Sequence, residues 1–417
     1  MKRFIIAGFV AAFMIYSNPL PAQGEATMLF LLIPPSPLLN GMGQVGAALP
    51  TNEAYGFYYN PAQLGYTGQT VNAALQFYPS KTDWLPAFNF SDLTYNSFAL
   101  NLGYNFRDRS PIIPLSVSLG YMKGEINYGR NTLTDDQGNI IAVFDSKESY
   151  NAYGIGVGME YFVNLSLGLT YKTINSQLVP IQVGTWPIGG EAETDAIDYG
   201  ALLTAPVLKP FEKHFLKESE SKFSIIPYCD VSLGYAKTNI GDKVSYLDPS
   251  QKDPIPRTAK LGYALSTGAD FRLRDISIRA LGIDWSVDAS DRLVTDDGNY
   301  QGGLLGDISF GGNLLSAKSD DEVEIHKGLR LQFFDFLAIT SGRFYGPGWE
   351  NVKTSGYSLG AKGILKALAA SSSDRTFRYL ADHFDLQYAR SEIDSGPEHP
   401  LTGTTYQSIL LTVSGFW

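Results

Sequence analysis

From residue 69 onward apolar and polar residues alternate with period two, the repeat of a strand whose two faces meet different surroundings. In 97–106, Phe98, Leu100, Leu102, Tyr104 and Phe106 share one face; Ser97, Ala99, Asn101, Gly103 and Asn105 share the other. Leu115, Val117, Leu119 and Tyr121 repeat the pattern against Ser116, Ser118 and Gly120. So do Ile155, Val157, Met159 and Tyr161 against Gly154, Gly156, Gly158 and Glu160, and Val163, Leu165, Leu167, Leu169 and Tyr171 against Asn164, Ser166, Gly168 and Thr170. A soluble sandwich turns its bulky face to a dry centre. Here the opposing face is small and polar, which suits a closed ring with bulky side chains toward lipid and small ones toward a crowded or watery lumen.

The pattern predicts an all-β, transmembrane antiparallel barrel of about 14 strands, near 69–78, 97–106, 114–122, 149–161, 162–171, 197–207, 227–236, 260–270, 276–286, 323–333, 335–343, 356–365, 380–389 and 406–417. An even count brings both ends of the ring to one side. The odd-numbered connections are long, as surface loops are. The even-numbered ones are short, apart from 208–226 and 366–379, which are predicted to hold short amphipathic helices on the periplasmic side. Tyr, Phe or Trp at many strand ends (Tyr78, Tyr104, Tyr121, Tyr161, Tyr171, Tyr235, Trp285) suits the two aromatic girdles of such a barrel.

The two ends of the chain read differently. Lys2 and Arg3 precede an apolar run from Phe4 to Tyr16, too short to span a bilayer and closed by Pro19, Pro21 and Ala22. Residues 1–22 are predicted to be a signal peptide cleaved after Ala22. Residues 23–68 carry Pro34, Pro35 and Pro37, which bar regular strands, and then the glycines at 41, 43 and 46. This segment is expected to fold inside the barrel, 69–417, as a plug or hatch. At the other end Trp417, Val413, Leu411 and Ile409 share one face. This resembles the terminal aromatic signal read by the barrel assembly machinery, with Gly415 departing from it.

Composition narrows the class. The chain has 42 Gly, 25 Tyr and 24 Phe with only 18% charged residues, and no apolar run long enough for a membrane helix. Its formal charge is −10, or −12 without Lys2 and Arg3, which argues against a nucleic-acid partner. Cys229 stands alone, so no intrachain disulfide forms.

Several motifs look chemical. Gly41-Met42-Gly43-Gln44-Val45-Gly46 fits G-x-G-x-x-G, but prolines precede it and no acid follows near position 66, so close backbone packing explains it better than a nucleotide. Gly356-Tyr357-Ser358-Leu359-Gly360 fits G-x-S-x-G. It continues in period two, so Ser358 points into the lumen from a straight strand, and His383 on the following strand is expected to face inward near it. Asp135–Asn139 and Asp296–Asn299 have the look of calcium ligands without the spacing of a calcium loop, and read as turn tips. His214, His326, His383 and His399 are scattered, so no metal or cofactor is expected, and no catalytic residue.

Three segments resemble one family. Phe30-Leu-Leu-Ile-Pro-Pro, the glycine run at 41–46 and Tyr58-Tyr59-Asn60-Pro61-Ala62-Gln63-Leu64 resemble the opening of the PorV/PorQ outer-membrane proteins, a branch of the group typified by the long-chain fatty acid transporter FadL. Ile255–Gly262, His326–Leu331, Ser341–Phe344 and Gly356–Gly360 resemble later signatures of that family. The resemblance implies a 14-stranded barrel whose hatch carries Gly41, Met42, Gly43, Gly46, Asn60, Pro61 and Ala62. It implies a role in type IX secretion, with the translocon and cargo signal domains as partners and the loops 123–148 and 287–322 as contact surfaces. The alternative it implies is a channel for long-chain fatty acids or other hydrophobic molecules. Pro35-Ser36-Pro37-Leu38-Leu39 departs from the more polar link usual in PorV.

Overall fold

The computed structural model describes residues 26–88, 92–106, 114–183, 186–211, 223–246, 250–273, 276–372, 374–397 and 399–416. The predicted signal peptide and Trp417 lie outside them. The strands are β1 (Ala73–Phe77), β2 (Thr82–Asp83), β3 (Leu93–Asn105), β4 (Leu115–Thr134), β5 (Ile140–Glu160), β6 (Asn164–Val183), β7 (Trp186–Pro206), β8 (Phe223–Gly241), β9 (Thr258–Leu273), β10 (Ile276–Arg292), β11 (Val323–Phe333), β12 (Leu337–Gly346), β13 (Trp349–Gly360), β14 (Phe384–Ile393) and β15 (Thr405–Val413). Each pairs antiparallel with its neighbours, and β1 pairs with both β15 and β3, which closes the ring. Fourteen strands make the wall. The two-residue β2, absent from the sequence reading, continues the line of β1 along β3. We call the end where β1 begins and β15 finishes the terminal end, and the opposite one the loop end.

The wall's faces follow the predicted parity. Leu102, Leu119, Ile155, Val157, Leu167 and Leu169 are exposed on the outside, while Ala99, Asn101, Ser116, Ser118, Ser166 and Thr170 are buried on the inside. Tyr121, Tyr153 and Tyr171 stand directly opposite one another across β4, β5 and β6 and form one girdle. Tyr104 with Phe106 and Tyr161 with Phe162 form the other. From Tyr153 to Tyr161 is eight residues. At roughly 3.3 Å per residue and a tilt near 40° that spans about 20 Å, close to the apolar band of a transmembrane barrel.

Four expectations are corrected. The connection 123–148 is mostly strand, because β4 and β5 run on as a hairpin with its turn at 135–139, and β6 and β7 do the same beyond Tyr171. The surface region 287–322 begins as strand to Arg292 and then holds a turn of helix, Phe310–Leu315. Residues 69–72 are not strand, since the helix Gln63–Thr70 precedes β1. Residues 380–383 are not strand either, since the predicted helix in 366–379 is two helices, Lys362–Ser371 and Arg375–His383. In 208–226 the described residues hold one short turn, Lys209–Phe211.

Candidate functional site: the sealed lumen

Residues 28–71 lie against the inner face of the wall, and the glycines of both surfaces are the reason they fit. Gly158 of β5, Gly168 of β6, Gly234 of β8, Gly328 of β11 and Gly342 of β12 each face backbone of this segment, and a Cβ at any of them would collide with it. Pro61 O sits on Gly168, Ala47 O on Gly234 and Met42 O on Gly328. The small inner face therefore meets main chain rather than water. Main chain brings unsatisfied polar groups, and wall side chains take them up.

The motif residues occupy these seats. Gly41 rests on Thr340 and Gly356, and Met42 is fully buried. Gly43 has φ +75°, a left-handed conformation that glycine adopts freely, and a Cβ there would stand 2.5 Å from Lys327 O. Its N–H donates to Thr354 Oγ1 at 2.8 Å and its carbonyl lies 2.8 Å from His326 Nδ1. Gly46 N and Ala47 N donate to Asp288 Oδ2 at 2.7 and 2.8 Å. Asn60 Nδ2 donates to Ala47 O at 2.6 Å and to Ala201 O of β7 at 3.1 Å, and its Oδ1 accepts from Ala62 N at 3.0 Å. Toward β1 and β15, Glu53 accepts from Ser36 Oγ at 2.6 Å and Gln76 Nε2 at 2.8 Å. Burial pushes the Glu53 carboxyl above its ordinary range, against these two hydrogen bonds.

On the loop side of the seal the lumen turns apolar. Phe30, Leu31, Tyr55, Tyr95, Tyr150 and Tyr406 pack into one buried cluster with aliphatic residues of the wall. A cavity opens beside it, lined by Leu31, Leu32, Pro34, Tyr58, Lys172 and Lys260 among others. Lys172 Nζ lies 2.8 Å from Asp198 Oδ2 and donates to Asn239 Oδ1 at 2.8 Å. Asn239 N in turn donates to Asp198 Oδ1 at 2.7 Å, and Asn239 takes φ +56°, which asparagine tolerates, at an irregularity in the β7–β8 pairing. Lys172 is thus fully compensated. Lys260 is held more loosely: among the described residues its ammonium makes no direct ion pair, lies 6.0 Å from the centroid of the Tyr59 ring, and feels the carboxylates of Asp288 and Glu324 only at longer range.

Ser358 is buried on the inner face of β13, as its parity requires. His383 is not beside it. It ends the helix Arg375–His383, binds Ser414 O through Nδ1 at 2.7 Å and packs on Phe416, so no serine–histidine pair is assembled. Asp135 and Asp297 hold their own turns, accepting from Asn139 N and Asn299 Nδ2. Ile409, Leu411 and Val413 share the outer face of β15, opposite Phe77, Leu75 and Ala73. The sequence reading missed Lys172, Asp198, Lys260 and Asp288. Their parity with Thr170, Gly200, Gly262 and Ser286 already places all four inward.

No family model matches the sequence, and no curated protein is similar to it in sequence. Solved structures of similar shape include the Ralstonia pickettii toluene transporter TbuX, 11% identical over 92% of this chain and 98% of that one, with a TM-score of 0.41. The P. putida toluene transporter TodX is 12% identical over 91% and 98%, at 0.39. A Pseudomonas aeruginosa FadL homologue is 10% identical over 92% and 98%, at 0.34. Likeness at this level leaves the barrel's own geometry to carry the functional reading.

Proposed function

We propose that this is an outer-membrane barrel, delivered there by the predicted signal peptide and the barrel assembly machinery, that admits hydrophobic molecules with an anionic head. The N-terminal segment is its hatch. One observation carries the reading: a lysine without a direct ion pair, Lys260, in the same cavity as the apolar side chains of Leu31, Leu32 and Pro34 at the edge of the seal. An ammonium that no carboxylate contacts directly favours a carboxylate ligand, and the apolar side chains beside it take up the ligand's chain. The test is binding of radiolabelled laurate and dodecanol to the purified protein in detergent. Lys260→Met is expected to weaken laurate about tenfold, roughly 1.4 kcal/mol, and to leave dodecanol unchanged. Laurate binding no better than a detergent blank sinks the reading.

A second reading, secretion with cargo held at the loop end, is favoured by a different observation. Ile140, Ile141 and Val143 are 68%, 46% and 50% exposed on the β4–β5 hairpin, and β5 pairs with β6 only up to Lys147. That leaves a strand edge with apolar side chains, suited to an added strand. Deleting the gene and profiling surface proteins separates the readings, since lost cargo favours secretion and intact cargo with poor growth on fatty acids favours transport.

A further inference from the structure

At the terminal end β13 passes to β14 through the two helices Lys362–Ser371 and Arg375–His383. The first is latched to the β11–β12 turn. Gly363 N donates to Asp335 O at 3.1 Å, Lys366 Nζ lies 2.6 Å from Asp335 Oδ2, and a Cβ at Gly363 would collide with Phe334 O. The helix's free face carries Ile364, Ala367 and Leu368, all exposed, at the i, i+3, i+4 spacing of one stripe. The turn itself holds Phe334 and Asp335 at φ +54° and +53°. Left-handed backbone is unusual for an aromatic residue, and here it leaves Phe334 55% exposed next to the start of that helix.

The second helix continues this surface. Tyr379 packs on His383 at 4.6 Å, on Phe384 at 6.3 Å and on Phe416 at 6.5 Å between ring centroids. Phe384 stands on the outward face of β14 in parity with the exposed Leu386, so the cluster prolongs the lipid-facing belt past the strand ends. The charge is also distinctive. Residues 362–383 hold four cations (Lys362, Lys366, Arg375, Arg378) against two carboxylates (Asp374, Asp382), with Lys366 taken up by Asp335, in a chain of net charge −10.

We propose that the helix pair and the β11–β12 turn form a foot lying in the interface of the terminal-side leaflet. Phe334, Ile364, Leu368 and Tyr379 enter the acyl boundary, and Arg375 and Arg378 meet the phosphates of anionic glycerophospholipids. An apolar stripe flanked by cations takes this position at a bilayer surface. Continuity with the belt favours lipid over a periplasmic protein as the occupant.

The test uses the full chain with Cys229→Ser as background, carrying a nitroxide at Leu368→Cys or, as a water-exposed control, at Gln137→Cys on the loop-end turn. The protein is reconstituted in phosphatidylcholine vesicles with and without phosphatidylglycerol. The ratio of oxygen to nickel-chelate accessibility is expected to be about tenfold higher at 368 than at 137. Enrichment of phosphatidylglycerol around the protein is expected to fall at least about fivefold in Arg375→Gln/Arg378→Gln. Nickel accessibility at 368 equal to that at 137 overturns the proposal and leaves the patch to a protein partner. Unchanged enrichment in the double variant overturns the anionic-lipid assignment.

Discussion

Strands β4, β5 and β6 behave as two different sheets joined end to end. On the terminal side of Tyr121, Tyr153 and Tyr171 their apolar residues point outward and their glycines and serines inward. On the loop side the phase inverts: Lys123, Lys147, Asn151, Thr173 and Asn175 point outward, while Met122, Ile126, Tyr150 and Ile174 are buried within. One continuous ladder of backbone hydrogen bonds serves both. What changes is the surroundings. Between the girdles the outside is hydrocarbon and the inside is main chain of the seal. Beyond them the outside is water and the inside is the apolar cluster around Phe30. Parity is fixed by the strand, but the meaning of each parity is set by depth.

The sheet between the girdles is most vulnerable where it seats the N-terminal segment. Gly234→Leu would drive a side chain into Ala47 O, where no flexible atom can give way. We expect ejection of the segment and a loss of several kcal/mol, seen as a large drop in unfolding midpoint together with an open pore in planar bilayers. A closed pore with unchanged stability would mean that the wall glycines do not seat the segment.

A smaller effect comes from Glu53. Its carboxyl is raised above the unfolded value, so the folded state favours the neutral form. The stability this contributes is present below the ordinary carboxylate range and is lost as pH rises through the raised value. Glu53→Gln is expected to flatten that fall, with denaturant midpoints of wild type and variant converging at low pH and separating, variant higher, at neutral pH.

The smallest effect is expected on the loop side. Replacing 129–145 with a two-residue turn removes strand that pairs only within its own hairpin beyond Lys147. Barrel stability should change by less than about 1 kcal/mol. A larger loss, measured by the same denaturant titration, would tie the upper sheet to the fold of the lower one.

The inversion also explains what the chain made legible. Between the girdles bulky and small residues alternate cleanly, and the wall was readable strand by strand. At Lys123 and Lys172 the apolar residue changes sides, so the alternation breaks and both hairpins read as loop. Lys172 was lost for that reason, and its partner Asp198, although inside the predicted strand 197–207, was left without a partner to pair it with. The glycines at 41, 43 and 46 signalled close packing, but their wall partners, from Asp288 for Gly46 to Gly356 for Gly41, sit 242 to 315 residues away, a distance no local pattern encodes. A helical connection at 366–379 was legible, but not that its second helix, where Asp374 caps the start by accepting from Thr376 N at 2.8 Å, runs on to His383 in place of the expected strand start.

The seating of Gly43 on Thr354 and of Gly46 on Asp288 has a consequence for biogenesis. The first described part of the chain finds its partners only after strands made much later exist, so it cannot settle early. Chain-closure entropy over such separations makes this docking slow. Whatever escorts the nascent polypeptide must shelter Met28 to Ile33 until the ring is nearly complete. The oldest residues become native last.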